Sequence, residues 1–203
     1  NGSNELIRIL AMALIYPNDE AVMATPSFII YPTVTKLMGG KCREVPLKDF
    51  RHDLPAMLRE VNDRTRIVFV CNPNNPTGTI VYREELTSFL DALPPRVLPV
   101  LDEAYFEFVE DPKFPNGMDY FREGRNVVVL RTFSKIYGLA GCRIGYAVAS
   151  KEIVGAINKV RDPFNVNLLA QAAAHASLDE QGEVTRRKKL NSEGKKYLCK
   201  ELD

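Results

Sequence analysis

Residues 127–145, Val-Val-Val-Leu-Arg-Thr-Phe-Ser-Lys-Ile-Tyr-Gly-Leu-Ala-Gly-Cys-Arg-Ile-Gly, constrain this chain more than any other stretch. Val127 to Leu130 form an unbroken aliphatic run, the pattern of a strand covered on both faces. The polarity then flips. Ser134 and Lys135 stand where such a strand ends, and a loop with Gly138, Gly141, Gly145 and Arg143 follows. A lysine beside buried strands is costly unless its amine is paired, becomes an imine or serves as a neutral base. Lys135 is therefore the first residue from which chemistry is expected.

Around that stretch, hydrophobic periodicity alternates between helix and strand. Leu6, Ile9, Leu10, Ala13 and Leu14 recur at helical spacing, predicting a helix over about 5–15 with Ser3 or Asn4 as its cap. Strands are expected at about 21–24, 42–47, 67–71, 97–101, 127–130 and 143–149. Helices are expected at about 28–38, 53–61, 83–93, 151–160, 165–178 and 181–202, and a loop rich in Pro and Asp before the Lys135 strand. Strands alternating with helices through short turns predict an α/β fold: a mostly parallel central sheet flanked by helices.

Composition narrows the partners. With 45% hydrophobic and 26% charged residues and a net charge of +1, the chain offers no electrostatic case for nucleic acid or a membrane surface. No apolar run approaches the roughly 20 residues that span a bilayer. Cys42, Cys71, Cys142 and Cys199 contain no CxxC pair, and with His52 and His175 they give no metal-binding pattern. Reduced, mostly buried thiols in a cytoplasmic protein are expected. Both ends look cut. Asn1-Gly2-Ser3-Asn4-Glu5 starts a helix with no element before it, and the charged helical stretch at the far end has no partner in sequence, so the chain is read as the middle of a longer protein.

In open α/β sheets, ligands sit outside the carboxyl ends of the strands. Strand 67–71 ends in Asn72-Pro73-Asn74-Asn75-Pro76-Thr77-Gly78, where prolines and glycine fix the backbone and hold the asparagines. Strand 97–101 ends in Asp102, a carboxylate that needs a cation or donors if buried, and Tyr105 follows three residues on. Ser134 and Lys135 end the third strand, and the amides of Gly2, Ser3 and Asn4 at a helix N-terminus suit a phosphate. Singly, these are a rigid turn, a core phenol, a surface lysine and a plain cap. Jointly they are the parts that hold pyridoxal 5′-phosphate: a lysine for a Schiff base, an acid for the pyridinium nitrogen, an amide and a phenol for the ring oxygen, and a hydroxyl with a cationic fork for the phosphate. A nucleotide-binding α/β domain is disfavoured, because neither GxGxxG nor GxxxxGK[ST] is present.

Asn-Gly-Ser-Asn-Glu-Leu-Ile (1–7), Asn-Pro-Asn-Asn-Pro-Thr-Gly (72–78), Asp-Glu-Ala-Tyr-Phe-Glu-Phe (102–108) and Arg-Thr-Phe-Ser-Lys-Ile-Tyr-Gly-Leu-Ala-Gly-Cys-Arg-Ile-Gly-Tyr (131–146) resemble the histidinol-phosphate aminotransferase family, in order along essentially the whole chain. That family is a branch of the aspartate aminotransferase superfamily of fold-type I pyridoxal-phosphate enzymes. Asp162-Pro163-Phe164-Asn165-Val166-Asn167 is similar to the same branch. The resemblance implies that Lys135 forms the Schiff base and moves the substrate proton, that Asp102 pairs with the pyridine nitrogen, and that Asn75 and Tyr105 contact the ring oxygen. It implies Ser3, Asn4, Ser134 and Arg143 as phosphate ligands and Phe28 as the ring-stacking aromatic, where the family often has Tyr.

The implied reaction is transamination of histidinol phosphate with 2-oxoglutarate, giving imidazole-acetol phosphate and glutamate in histidine biosynthesis, within a homodimer. Residues 1–178 would form the cofactor-binding large domain, and 179–203 would begin the helix leading to a small domain beyond this chain. An N-terminal arm would precede Asn1. Alternatives are a related fold-type I enzyme, such as a threonine-phosphate decarboxylase or an aromatic aminotransferase, and a fragment that binds the cofactor without turning over.

Overall fold

The computed structural model describes residues 1–202 and contains one six-stranded sheet. Its strands are β1 (Glu20–Thr25), β2 (Lys41–Pro46), β3 (Thr65–Cys71), β4 (Leu98–Asp102), β5 (Val128–Thr132) and β6 (Gly145–Val148), in the order β2-β1-β3-β4-β5-β6. The first five run parallel, and β6 pairs antiparallel with β5. The expected mostly parallel sheet is thus the one observed.

The sheet is sandwiched because its strands are apolar on both faces. Along β3, Ile67, Phe69 and Cys71 enter one core, shared with α1 (Ser3–Leu14), α2 (Ile30–Leu37) and α6 (Lys151–Val160). Val68 and Val70 point the other way, into a second core with α3 (Leu54–Arg59), α4 (Arg83–Ala92) and α5 (Gly117–Arg122). Each such side chain, fully buried, contributes about 1.5–3 kcal/mol relative to exposure. The crossover helix after β1 therefore lies on the opposite face from the one after β3. Such a reversal opens a crevice at the carboxyl ends of the strands. A smaller cluster of Phe133, Ile144, Ala170 and Ala174 ties α7 (Leu168–Asp179) to the loop that carries Lys135, and α8 (Gln181–Leu202) follows.

Several local expectations are corrected. The first helix starts at Ser3 with Gly2 in the capping position at φ 79°, and neither Ser3 nor Asn4 caps it through a side chain. A tertiary contact explains the glycine: a Cβ on Gly2 would stand 2.8 Å from Arg143 Nη2. Helix α2 opens at Ile30 rather than Phe28, because the preceding turn is tied down by Ser27 Oγ donating to Asn74 Oδ1 at 2.8 Å. Helix α7 opens at Leu168, where the Asn167 side chain accepts from the Ala170 amide at 2.8 Å. The loop expected before the Lys135 strand contains α5, capped by Asn116 and anchored by buried Tyr120. Six residues with one large buried side chain are too few to reveal a helical period.

At the opposite sheet end, Glu20 is completely buried and accepts from Arg43 at 2.7 and 3.1 Å, Arg64 at 2.8 Å and Asn62 at 2.8 Å. These donors, Arg43 foremost, hold its carboxyl down to about 2 from the usual 4.5 against the opposing effect of burial. A carboxyl depressed in the fold stabilises above its unfolded pKa and loses that contribution as pH falls toward the folded value. Glu20→Gln is therefore expected to lower the urea midpoint at pH 7, with the gap to the unsubstituted protein closing between pH 4.5 and about 2. A gap independent of pH across that window would show that the ionised form is not what stabilises.

Candidate active site

Parallel register sets the floor of the site. Cys71 lies abreast of Asp102, and Asp102 abreast of Leu130, so β3 and β4 end together while β5 continues to Thr132. The chain leaving each strand is then bonded to its neighbour: the Asn72 amide donates to the Asp102 carbonyl at 3.0 Å, and the Glu103 amide to the Leu130 carbonyl at 2.9 Å. Side-chain alternation along β4 puts Asp102 on the face covered by α1 and α2. A cavity of about 200 Å³ opens there. Ser3, Asn4, Phe28, Asn75, Asp102, Tyr105, Ser134, Lys135 and Arg143, every candidate named from the sequence, line it together with Cys71 and Thr132.

Asp102 is 3% exposed. Tyr31 donates its hydroxyl to Oδ2 at 2.8 Å, and the Ala104 amide donates to Oδ1 at 3.2 Å. Burial raises its carboxyl above the ordinary range, while Tyr31, Ala104 and the charge of Lys135 pull the other way. An ionised carboxylate offers about four acceptor positions, so this one has capacity left for an N–H donor from the cavity. Tyr31 was not singled out from the sequence. Its position, three residues beyond Phe28 in a segment whose sequence reads as helical, was the available signal, but a helical tyrosine is ordinarily read as core. Here Tyr31 is both: its ring stacks on Phe69 at 4.6 Å and meets Phe28 edge-on at 5.7 Å, while its hydroxyl reaches the acid. Cys71 was likewise missed; burial first, and the neighbouring Asp102, push its thiol up to about 12, so it stays protonated.

Lys135 is exposed within the cavity rather than buried beside the strand, with Nζ 5.1 Å from the centre of the Tyr105 ring. The cost anticipated for a buried amine is therefore avoided by the strand ending before it, at Thr132. At the far end of the cavity, Arg143 takes a left-handed backbone conformation at φ 56°, and its Nη1 donates to Ser134 Oγ at 3.2 Å and to the Ala140 carbonyl at 2.7 Å. Gly145 brings the helix start against this group, since a Cβ there would stand 2.8 Å from the Ser3 amide nitrogen. Helix amides, a hydroxyl and a guanidinium thus converge at one end, a donor set for a doubly charged oxyanion.

The loop presenting Asn75 is held through Asn74. Its Nδ2 donates to the Pro26 carbonyl at 3.3 Å and to Thr77 Oγ1 at 2.9 Å, and its Oδ1 accepts from Ser27 at 2.8 Å and lies 3.1 Å from His52 Nε2. With Oδ1 an acceptor, buried His52 carries its proton on Nε2, and burial holds its pKa down to about 4. Asn72 is fixed separately, exchanging two hydrogen bonds with the Val81 backbone at 3.0 and 3.1 Å.

Residues 1–203 match the family described as aminotransferase class I and II. A histidinol-phosphate aminotransferase from Moorella thermoacetica is 53% identical over 204 residues, covering 100% of this chain and 53% of the relative. One from Caldicellulosiruptor saccharolyticus is 48% identical, covering 100% of this chain and 56% of the relative. Among solved structures, histidinol-phosphate aminotransferase from Sinorhizobium meliloti in complex with pyridoxal-5′-phosphate is similar with a TM-score of 0.86 and 31% identity, covering 92% of this chain and 51% of that one. The chain spans about half the length of the curated relatives it matches.

Tyr31→Phe keeps the stacked ring and removes only the donor to Asp102. Leaving a buried acceptor short of a partner is expected to cost about 1–3 kcal/mol, read as a lower urea midpoint at pH 7. An unchanged midpoint would mean that the Asp102 carboxylate is satisfied without Tyr31.

Proposed function

This chain belongs to the aminotransferase class I and II family, and from that premise we propose that it forms the cofactor-binding part of a pyridoxal 5′-phosphate-dependent transaminase. The reaction is amino-group transfer from histidinol phosphate to 2-oxoglutarate, giving imidazole-acetol phosphate and glutamate. Relatives bearing the histidinol-phosphate aminotransferase name, matched along the whole chain, support that substrate choice over a sister decarboxylase or aromatic aminotransferase. The observation that carries the cofactor reading is the shared cavity: a buried acid with spare acceptor capacity at its floor, a lysine at its side and an oxyanion donor set at its end.

Pyridoxal 5′-phosphate, when bound, supplies an electron sink that weakens the bond between a substrate's Cα and its hydrogen. The chain's own residues divide the remaining work. Asp102 would hold a proton at the ring nitrogen through its spare acceptor positions. Asn75 and Tyr105 would donate to the ring oxygen, and Phe28 would offer the ring an apolar surface, without the hydroxyl the family often carries there. Ser134, Arg143 and the amides of Ser3 and Asn4 would bind the phosphate. Lys135 Nζ would hold the cofactor covalently, and its amine, within reach of the same cavity, would be the base for the proton at the substrate's Cα.

Residues 1–178 are assigned to the cofactor-binding large domain, and 179–203, of which Asp203 lies outside the described residues, to the stretch that begins the helix toward a further small domain. A cytoplasmic homodimer is the proposed assembly. Among the described residues no helix is long and apolar enough to cross a membrane. Phe164, Leu168 and Leu169 are 92%, 77% and 81% exposed. They flank Asn165, which bonds to Asn1 and Glu5 beside the start of α1. Such an apolar strip suits a second subunit.

Borohydride reduction in the presence of pyridoxal 5′-phosphate is expected to leave a phosphopyridoxyl group on the peptide containing Lys135, and Lys135→Ala is expected to remove it. Equal labelling of the variant would overturn the assignment. Asp102→Asn is expected to retain cofactor but slow the glutamate half-reaction by on the order of 100-fold or more, measured by single-turnover absorbance in the full-length protein. An unaltered rate would remove Asp102 from the chemistry.

A further inference from the structure

Helix α8 carries no buried residue and is charged along much of its length, so burial does not explain its docking. Two adjacent side chains attach it to the body. Arg187 Nη1 donates to the Ile136 carbonyl at 3.0 Å, and Lys188 Nζ donates to the Val109 carbonyl at 2.8 Å. Both acceptors are backbone groups on loops that line the cofactor cavity: Ile136 directly follows Lys135, and Val109 closes the short 3-10 turn that begins after Tyr105.

Arg187 is the more constrained of the two. Glu183 Oε1 accepts from its Nε at 2.6 Å, which aims the guanidinium across the helix. Opposite it stands Gly138 at φ 72°, where a Cβ would lie 3.0 Å from Arg187 Cζ and nearer still to Nη1. The Gly138 amide donates to the Lys135 carbonyl at 2.9 Å, so this glycine closes the turn that starts at the lysine. The Ile136 side chain, 1% exposed, anchors the same turn from inside. The turn is therefore gripped twice, by a buried side chain below and by a guanidinium above, and it carries Lys135 between the strand and the grip.

We propose that Arg187 is a positioning residue for Lys135, acting from α8 through the Lys135–Gly138 turn to set the direction in which the lysine enters the cavity. The inference rests on the reading of Lys135 as the lysine that holds pyridoxal 5′-phosphate. Arginine suits the role because one rigid fork engages Glu183 through Nε and Ile136 through Nη1, which an ammonium on a flexible stem does not reproduce. Arg186 is the natural comparison: it pairs with Glu183 at 2.7 and 2.8 Å on the exposed side of the same helix.

The test compares Arg187→Met, Arg187→Lys and Arg186→Met in the cofactor-loaded full-length protein. Cofactor release into dialysate and borohydride trapping at Lys135 are measured beside the thermal midpoint of the cofactor-free form. Both Arg187 variants are expected to release cofactor about tenfold faster, the scale of one lost charge-assisted hydrogen bond, with a cofactor-free midpoint like that of Arg186→Met. Release from Arg186→Met is expected to match the unsubstituted protein. Unchanged release from Arg187→Met would overturn the proposal, as would equal release from the Arg186 and Arg187 variants. Absence of trapping at Lys135 in the unsubstituted protein would instead reject the lysine assignment on which the proposal stands.

Discussion

A carboxylate with its charge removed from water is the constraint to which the rest of this structure answers. Asp102 closes β4 inside the protein, and only the Tyr31 hydroxyl and the Ala104 amide donate to it among the described residues. Desolvation of an ionised acid is expensive unless a cation or enough donors compensate. The structure compensates in part, through Tyr31, Ala104 and the nearby charge of Lys135, and leaves the carboxyl above its ordinary range. A bound group that presents an N–H to the spare acceptor positions would relieve what remains. A polar group poorly satisfied without its ligand and well satisfied with it favours the bound state.

The sheet makes this arrangement possible. Strands β3 and β4 end abreast and β5 runs only as far as Thr132 beyond them, so the residues that follow them are close neighbours although they are far apart in the chain. Asn75, Asp102 with Tyr105, and Ser134 with Lys135 arrive by this route. The donor-rich end depends on two absent side chains instead: Gly2 leaves room for Arg143, and Gly145 leaves room for the start of α1. Rigidity is then added around the cavity, by Asn72 and Asn74 on one loop and by Phe133 and Ile144 under the other.

Much of this was legible in residue order. Buried strands announced themselves as aliphatic runs, and the strand ends carried polar groups that no core would choose. Strand-end positions, together with the family resemblance, led to the same residues that the cavity brings together. What escaped had its cause in distant contacts. Gly2 looked like part of a helix start, but its positive φ serves Arg143. Tyr31 carried no sequence signal of its own, and only the approach of β4 gives its hydroxyl an acid. Arg187 looked like one basic residue among many on a charged helix, and only the fold lays it on the turn after Lys135. Helix α5 was invisible for a different reason, being too short to show its period.

By itself, the sequence determined the layered α/β architecture, the strand ends as the place for chemistry, and the residue types available there. These follow from local periodicity and from the cost of burying charge, both of which act over a few neighbouring residues. The tertiary structure alone decided which donors reach Asp102, that Lys135 sits exposed in the cavity rather than buried, and which glycines make room for the anion-binding group. Those outcomes depend on distances between segments tens of residues apart, set by strand register and helix placement, which no short window of sequence contains.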